Sequence, residues 1–239
     1  MAVLLPLSSP LLVPAHDAAA RAGASGARTL ILDLAGAPEG LKAEARAGAA
    51  LMLAQRVEAQ YMILRVNGLM SGHIDADLAA LAPLAPDAVL LPDSYGGDDA
   101  QHVSVKLCLH EAEAGLADGA TGLIACVSAS AALFRLGSYR GATRRLQALT
   151  WSAQALALDV GAQSYIEHGA LSGPMSLARN LTLFAAAAAR LHALDGPYEE
   201  LDDLAGLQRI CMEGKRDGFA GKIALSLAQM RVIAAAFAG

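Results

Sequence analysis

The stretch RTLILDLAGAPEGLKAEARAGAALMLAQRV, from Arg28 to Val57, sets the reading of the whole chain. Thr29–Leu34 is an apolar run of the kind that forms a strand buried on both faces, and it ends at one acid, Asp33. Gly36, Pro38 and Gly40 punctuate a turn, and Gly40–Glu58 is rich in Ala, Leu, Glu, Lys and Arg, which favour helix. A strand, a turn and a helix make one β–α unit. After Asp33 come Leu34, Ala35 and Gly36, which offer almost no side-chain chemistry at a place where α/β enzymes usually keep theirs.

The unit recurs along the chain. Strand-like runs fall at Leu11–Val13, Thr29–Leu34, Tyr61–Val66, Ala88–Leu91, Thr121–Val127, Leu146–Thr150, around Leu191–Leu194, and at Lys222–Leu225. Between them lie helical segments, most plainly Gly40–Glu58, His102–Ala117, Met175–Arg190 and Leu227–Phe237. Regular alternation implies a parallel sheet. Eight such units in 239 residues, with no linker or shift of composition, predict a single α/β domain over residues 1–239, a (β/α)8 TIM-type barrel with parallel strands. An open doubly wound sheet is the rival. It would carry a nucleotide fingerprint after its first strand, and PAHDAAARAGASGAR is not one.

Composition agrees with a large aliphatic core: 55% of residues are hydrophobic and only 4% aromatic. The net charge of −5 is scattered, which argues against a nucleic-acid surface. Arg135, Arg140, Arg144 and Arg145 form the densest basic stretch, and they read as a solvated face, with a phosphate site as the alternative. The apolar opening MAVLLPLSSPLLVPA lacks a basic region and is broken by three prolines, so it does not read as a signal peptide. LTLFAAAAARLHAL is interrupted by Arg190, short of the roughly 18 apolar residues of a membrane span. No membrane is implied. Three cysteines, Cys108, Cys126 and Cys211, share no metal spacing and suit the cytoplasm. Cys126, inside an apolar strand, reads as a small buried hydrophobe. His16, His73, His102, His110, His168 and His192 show no zinc-binding spacing, and no Gly-x-Ser-x-Gly elbow occurs.

In a barrel of this type function sits on the loops after the strands. The candidates there are Asp33, Arg65, Asn67, Asp93, Ser128, Ser130, Trp151, Ser152, Gln154, Asp195 and Ser226. Asp33 reads either as a base or partner for Arg65, or as a cap for loop amides. Arg65 reads as an anion contact or as one half of a pair with Asp33. Ser128 and Ser130 read as N-caps, or as donors to an anion at a helix start.

At these positions the chain resembles the citrate lyase β-subunit-like branch of the HpcH/HpaI aldolase superfamily. SSPLLVPAHD is similar to that family's opening strand, and LILDLAGAPEGLKAEAR to its Asp-Leu-Glu-Asp strand, with Lys42, Ala45 and Arg46 kept. ILRVN resembles its Val-Arg-Val-Asn strand, LTWSAQALALDVGA its Gly-Ala-Glu-Asp-Leu segment, and GFAGKIALSLAQMRVIAAAF its closing strand and helix. The resemblance implies a barrel that uses Mg²⁺ to make or break a C–C bond in 3-hydroxy acids, their acyl-CoA thioesters or keto acids. There two carboxylates fix the metal and an arginine grips the acid.

Carried over residue by residue, the metal Glu falls on Ser128 and the metal Asp on Ala155, with Gln154 before it. The Glu-Asp after Asp33 becomes Ala35 and Gly36, the opening Arg becomes Ser8, the Lys after the fourth strand becomes Asp93, and His-Pro becomes Ser226 and Leu227. Asp33, Arg65 and Asn67 remain as the substrate-binding set. No acid stands between Asp118 and Asp159 to replace the missing pair. The resemblance therefore implies a degenerate site at Ser128 and Ala155, with no metal and no cofactor expected although the family uses Mg²⁺. Asp33 or Asp93 would be the replacement ligands if a metal did bind. The chain ends after its last helix, so the C-terminal extension that supplies a lid and an acid in longer relatives is expected to be lacking. The implied partners are a small carboxylate or acyl thioester and further copies of the chain in a homo-oligomer. A carbon–carbon lyase and a non-catalytic anion-binding or scaffold subunit are the two functional expectations.

Overall fold

A computed structural model describes residues 6–167 and 170–238; His168 lies outside the described residues. Eight parallel strands form one curled sheet in the order β1, β2, β3, β4, β5, β6, β9, β10. They are β1 (Leu11–Pro14), β2 (Thr29–Asp33), β3 (Tyr61–Arg65), β4 (Ala88–Leu91), β5 (Gly122–Val127), β6 (Leu146–Trp151), β9 (His192–Asp195) and β10 (Gly221–Lys222). Each coincides with one of the eight expected runs to within a few residues. A short antiparallel pair, β7 (Ile166–Glu167) and β8 (Ala170–Leu171), stands apart and has no apolar run to announce it.

The sheet is curled, and its first strand touches the segment after its last. Leu11 forms a parallel bridge with Ala224, Leu12 N–H donates to the Ala224 carbonyl at 2.9 Å, and Ala224 N–H donates to the Pro10 carbonyl at 2.9 Å. Gly221 permits this approach, because a Cβ there would collide with the Leu7 carbonyl oxygen.

Strand alternation separates two apolar layers. Ile31, Ile63, Leu90, Ile124, Cys126, Ala148, Leu194 and Ile223 cluster on the concave face. Leu30, Leu32, Leu64, Leu91, Leu123 and Leu149 pack on the convex face beneath the helices. Burial on both faces is why these strands read as continuous apolar runs.

The helices are α1 (Ala18–Ala24), α2 (Lys42–Ala54), α3 (Ile74–Leu81), α4 (Gly97–Glu113), α5 (Ser130–Leu133), α6 (Ala153–Asp159), α7 (Gly173–Ala189), α8 (Leu204–Asp217) and α9 (Leu227–Phe237). Caps written in the sequence start several of them: Asp17 accepts from Ala19 and Ala20, Ser152 from Ala155, Asp203 from Gly206 and Ser226 from Gln229. α4 starts five residues before the expected His102, at Gly97, whose N–H donates to Ser138 Oγ at 2.8 Å.

One arginine expectation is corrected. Arg145 is not on a solvated face but 4% exposed, donating to Glu111 at 2.7 and 2.6 Å and to Asp118 at 2.5 Å. Glu111, on α4, also accepts from the amides of Gly119 and Thr121. The pair therefore ties the end of α4 to the entries of β5 and β6. Arg135 is exposed and pairs with Asp98.

Candidate functional site

Parallel strands bring all their C-terminal ends to one rim. Asp33 closes β2, Arg65 closes β3, and Ser128 and Ser152 directly follow β5 and β6. Period two carries Ile31 to Asp33, Ile63 to Arg65, Cys126 to Ser128 and Ala148 to Thr150, so these four polar residues cap the concave apolar layer.

Asp33 and Arg65 are partners in the strand register. Arg65 Nη1 donates to both Asp33 oxygens at 2.9 Å, and Gly36 N–H donates to Asp33 Oδ1 at 2.9 Å. A Cβ on Gly36 would collide with Asp33 Oδ2, so the glycine makes room for the carboxylate to turn toward Arg65. Among the described residues the hydrogen bonds of Arg65 all run through Nη1. Its side chain is 32% exposed against 11% for Asp33. The rest of the guanidinium faces the rim.

Asn67 is placed behind that pair, 3% exposed. Its amide nitrogen donates to Asp77 Oδ2 at 2.7 Å, its backbone N–H donates to the same oxygen at 2.9 Å, and its amide oxygen accepts from Lys42. Lys42 also donates to the carbonyls of Leu34 and Ala35, fixing the loop after β2. Asp77 is fully buried and accepts from Arg46 at 3.2 Å. Lys42 and Asp77 are functional-site neighbours that the strand-end search missed. Their signal was indirect: a Lys and an Asp among apolar helical residues, one helix apart from the strand they support.

Ser128 donates through Oγ to Asp93 Oδ1 at 3.2 Å. Neither Ser128 nor Ser130 is an N-cap: Ala129 holds that position, and Ser130 N–H, the first of α5, donates to Asp159 at 2.6 Å. An acid from α6 thus already occupies that helix start. Ala155 sits in the first turn of α6 and donates its N–H to Ser152 Oγ at 3.2 Å. Cys126 lies below the rim, its thiol pushed up to about 12 by burial, with Arg65 pulling it down and Asp93 adding to the rise. It is no nucleophile at neutral pH. Thr150 Oγ1 is buried and has no hydrogen-bond partner among the described residues. Such a group invites water or a polar ligand at the rim.

Trp151 and Asp195 are strand-end residues that do not join this rim. They project from the convex face, where Asp195 accepts from Trp151 Nε1 at 2.8 Å, Lys222 Nζ at 3.1 Å and Arg179 Nη2 at 3.0 Å. Burial works to raise the Asp195 carboxyl, but Lys222 and Arg179 outweigh it and hold it below the ordinary range. Ser226 caps α9. Gln154 is exposed on α6.

Among the described residues no group of three or more His, Cys, Asp or Glu side chains is placed to hold a metal ion. No helix among them is long and apolar enough to cross a membrane.

Comparison with known proteins gives this rim a lineage. The chain is 27% identical over 176 residues to citrate lyase subunit beta of Escherichia coli strain K12, covering 72% of this chain and 55% of that protein. It is 27% identical over 178 residues to (3S)-malyl-CoA thioesterase of Cereibacter sphaeroides, covering 74% of this chain and 57% of that protein. The matches thus span little more than half the length of these relatives. The structure of the citrate lyase beta subunit of Mycobacterium tuberculosis complexed with oxaloacetate and magnesium has the same fold, with a TM-score of 0.82 at 23% identity and 100% of both chains covered. The model of the HpcH/HpaI aldolase/citrate lyase family matches residues 11–226, from the first strand to the cap of the last helix, and the chain belongs to that family.

Proposed function

We propose that this chain is a citrate lyase β-subunit-like protein whose rim binds a small carboxylate but has lost magnesium-dependent cleavage. The curled sheet is read as a closed (β/α)8 barrel, supported by the bridge from Leu11 to Ala224. The observation that carries the binding reading is the Asp33–Arg65 pair, which holds a partly exposed guanidinium at the end of β3. Arg65 contacts the ligand's carboxylate, Asp33 fixes the angle of the guanidinium, and Thr150 supplies a hydroxyl from below.

The donor set does not fit magnesium. Mg²⁺ asks for one or two carboxylates arranged near an octahedron. The two positions that the family resemblance assigns to metal carboxylates carry the Ser128 hydroxyl, engaged with Asp93, and the Ala155 methyl. Asp33 is spent on Arg65 and Gly36. No step of a reaction is therefore routed through a metal here. The whole-protein activities named for the relatives, citrate lyase and (3S)-malyl-CoA thioesterase, are not carried over.

Thermal unfolding with and without oxaloacetate tests the reading. Oxaloacetate should protect the native protein, with the effect shrinking as salt rises, and Arg65→Met should abolish it. Equal protection of both proteins would make Arg65 structural. Family membership favours one alternative, a residual thioesterase or lyase. Release of free thiol from (3S)-malyl-CoA by the protein, lost in Arg65→Met, would establish that alternative instead.

A further inference from the structure

Asp93 is an acid of the rim without a cation. It follows β4, the strand between β3 and β5, and the chain bends over Pro92 and Asp93. Strict alternation would point it to the convex side, but the bend brings its carboxylate across the strand ends. Oδ1 accepts from Ser128 Oγ at 3.2 Å, and a Cβ on Gly68 would stand 2.7 Å from Oδ2. Gly68 lies three residues past Arg65, so Asp93 leans back toward the strand that carries the arginine. Cys126, below the rim, feels both groups: Arg65 pulls its thiol down and Asp93 pushes it up.

The cations of the neighbouring segments are already engaged. Arg65 pairs with Asp33, Arg46 with Asp77, and Arg135, beyond α5, with Asp98. Lys42 donates to the carbonyls of Leu34 and Ala35 and to Asn67, which uses all three of its N–H groups. Among the described residues Asp93 forms no ion pair, and its one hydrogen bond comes from Ser128. A ligand carboxylate on Arg65 would therefore lie beside a carboxylate with no counter-charge. A second negative charge on that ligand is repelled there, and an ammonium is attracted and forms charge-assisted hydrogen bonds. Thr150, 1% exposed and paired in register with Cys126, adds an unpartnered hydroxyl on the same concave face.

We propose that the ligand of this rim is a short amino acid, its carboxylate on Arg65 and Thr150 and its ammonium on Asp93, and that Asp93 sets the choice against dicarboxylates. The inference rests on the reading of Arg65 as the carboxylate contact. Neighbouring strands stand about 4.8 Å apart, and the two-carbon spacer of β-alanine suits anchors on neighbouring strands. Oxaloacetate, a dicarboxylate, is then held by one end only.

β-Alanine, butyrate and succinate share one carboxylate and a two-carbon spacer, and end in an ammonium, a methyl and a second carboxylate. Calorimetric titration at low ionic strength should rank them in that order, with β-alanine binding roughly fivefold or more tighter than succinate. Asp93 is exposed, so the preference should shrink as salt rises. Asp93→Asn, which keeps an acceptor for Ser128, should bring β-alanine and succinate to within about twofold of each other. Arg65→Met should lose all three. Succinate binding as tightly as β-alanine, or a preference unchanged in Asp93→Asn, would overturn the proposal; if Arg65→Met still abolished binding, the carboxylate role of Arg65 would stand. Binding that Arg65→Met leaves untouched, or no binding of any of the three, would overturn the reading of Arg65 and the proposal with it.

Discussion

Arg65 and Asp33 face each other across the paired ends of β3 and β2, one guanidinium nitrogen held by both carboxylate oxygens at 2.9 Å. The arrangement restrains the arginine and also cancels its charge. In the proposed reading, in which Arg65 binds an anion, Asp33 lowers the affinity of the rim while it orients the guanidinium.

That dual role predicts the effect of Asp33→Asn. An amide oxygen keeps an acceptor for Arg65, and the negative charge next to the ligand is gone. Removing one like charge several ångströms from a bound carboxylate should tighten oxaloacetate binding roughly three- to tenfold at low salt. The salt dependence should steepen as well. Calorimetric titration against ionic strength measures both. Weaker binding in Asp33→Asn would mean that orientation matters more than charge.

Asn67 should act on stability rather than affinity. Its side chain joins Lys42 to Asp77, both at most 9% exposed, so Asn67→Ala leaves a buried ammonium and a buried carboxylate each short of a partner. The expected cost is about 2–4 kcal/mol in urea unfolding. Oxaloacetate affinity at a temperature where the variant is folded should change less than about threefold. Unchanged stability with a tenfold loss of affinity would place Asn67 against the ligand instead.

The sheet was legible in the sequence because its strands are buried on both faces, and eight apolar runs with polar ends therefore stand out. Helix ends were less so: α4 starts at Gly97 because Ser138, forty-one residues on, accepts its first N–H. Strand ends pointed to Asp33, Arg65 and Ser128 on one side of the sheet, but they did not separate these from Trp151 and Asp195, which project from the other face. Their roles were not legible. Whether Arg65 pairs with Asp33, whether Asn67 looks outward or back to Asp77, and whether Ser128 caps a helix all depend on side-chain partners from other elements. The charges buried in the sheet, Arg145 and Lys222, carried the signal of a cation inside or beside an apolar run. Their acids, Glu111 and Asp195, come from distant segments that no local pattern connects to them.

The Glu111–Arg145 pair should govern stability in acid. Burial works to raise the Glu111 carboxyl, but Arg145 and the amides of Thr121 and Gly119 outweigh it and hold its pKa below the ordinary value. A group depressed on folding contributes stability that is fully present above its unfolded pKa, about 4.3, and is lost as pH falls through the folded value. Glu111→Gln should therefore flatten the pH dependence of unfolding below about pH 4.3. Arg145→Met, which strands a fully buried carboxylate, should cost about 3–5 kcal/mol at neutral pH. A Glu111→Gln protein with the parent's full acid sensitivity would assign that sensitivity to other carboxylates.

Magnesium supplies the sharpest test of the rim. A hydroxyl already engaged with Asp93 and a methyl offer no charge to offset the cost of stripping water from Mg²⁺, which dehydrates reluctantly. The protein should show no saturable Mg²⁺ isotherm in the millimolar range. Putting Glu at 128 and Asp at 155 adds one carboxylate directly after β5 and one in the first turn of α6, after the neighbouring β6. That Ser128→Glu, Ala155→Asp protein should also carry Asp93→Asn, because Asp93 would repel a new carboxylate at the place where it now accepts from Ser128. It should gain Mg²⁺ binding that competes with calcium and is lost with chelator. Two outcomes would sink the reading of a rim that has lost its metal. One is a saturable isotherm in the unaltered protein that disappears on changing Asp33 or Asp93, since replacement ligands would then exist. The other is a triple variant that folds yet binds no better than the parent, since positions 128 and 155 would then never have converged on a metal at all.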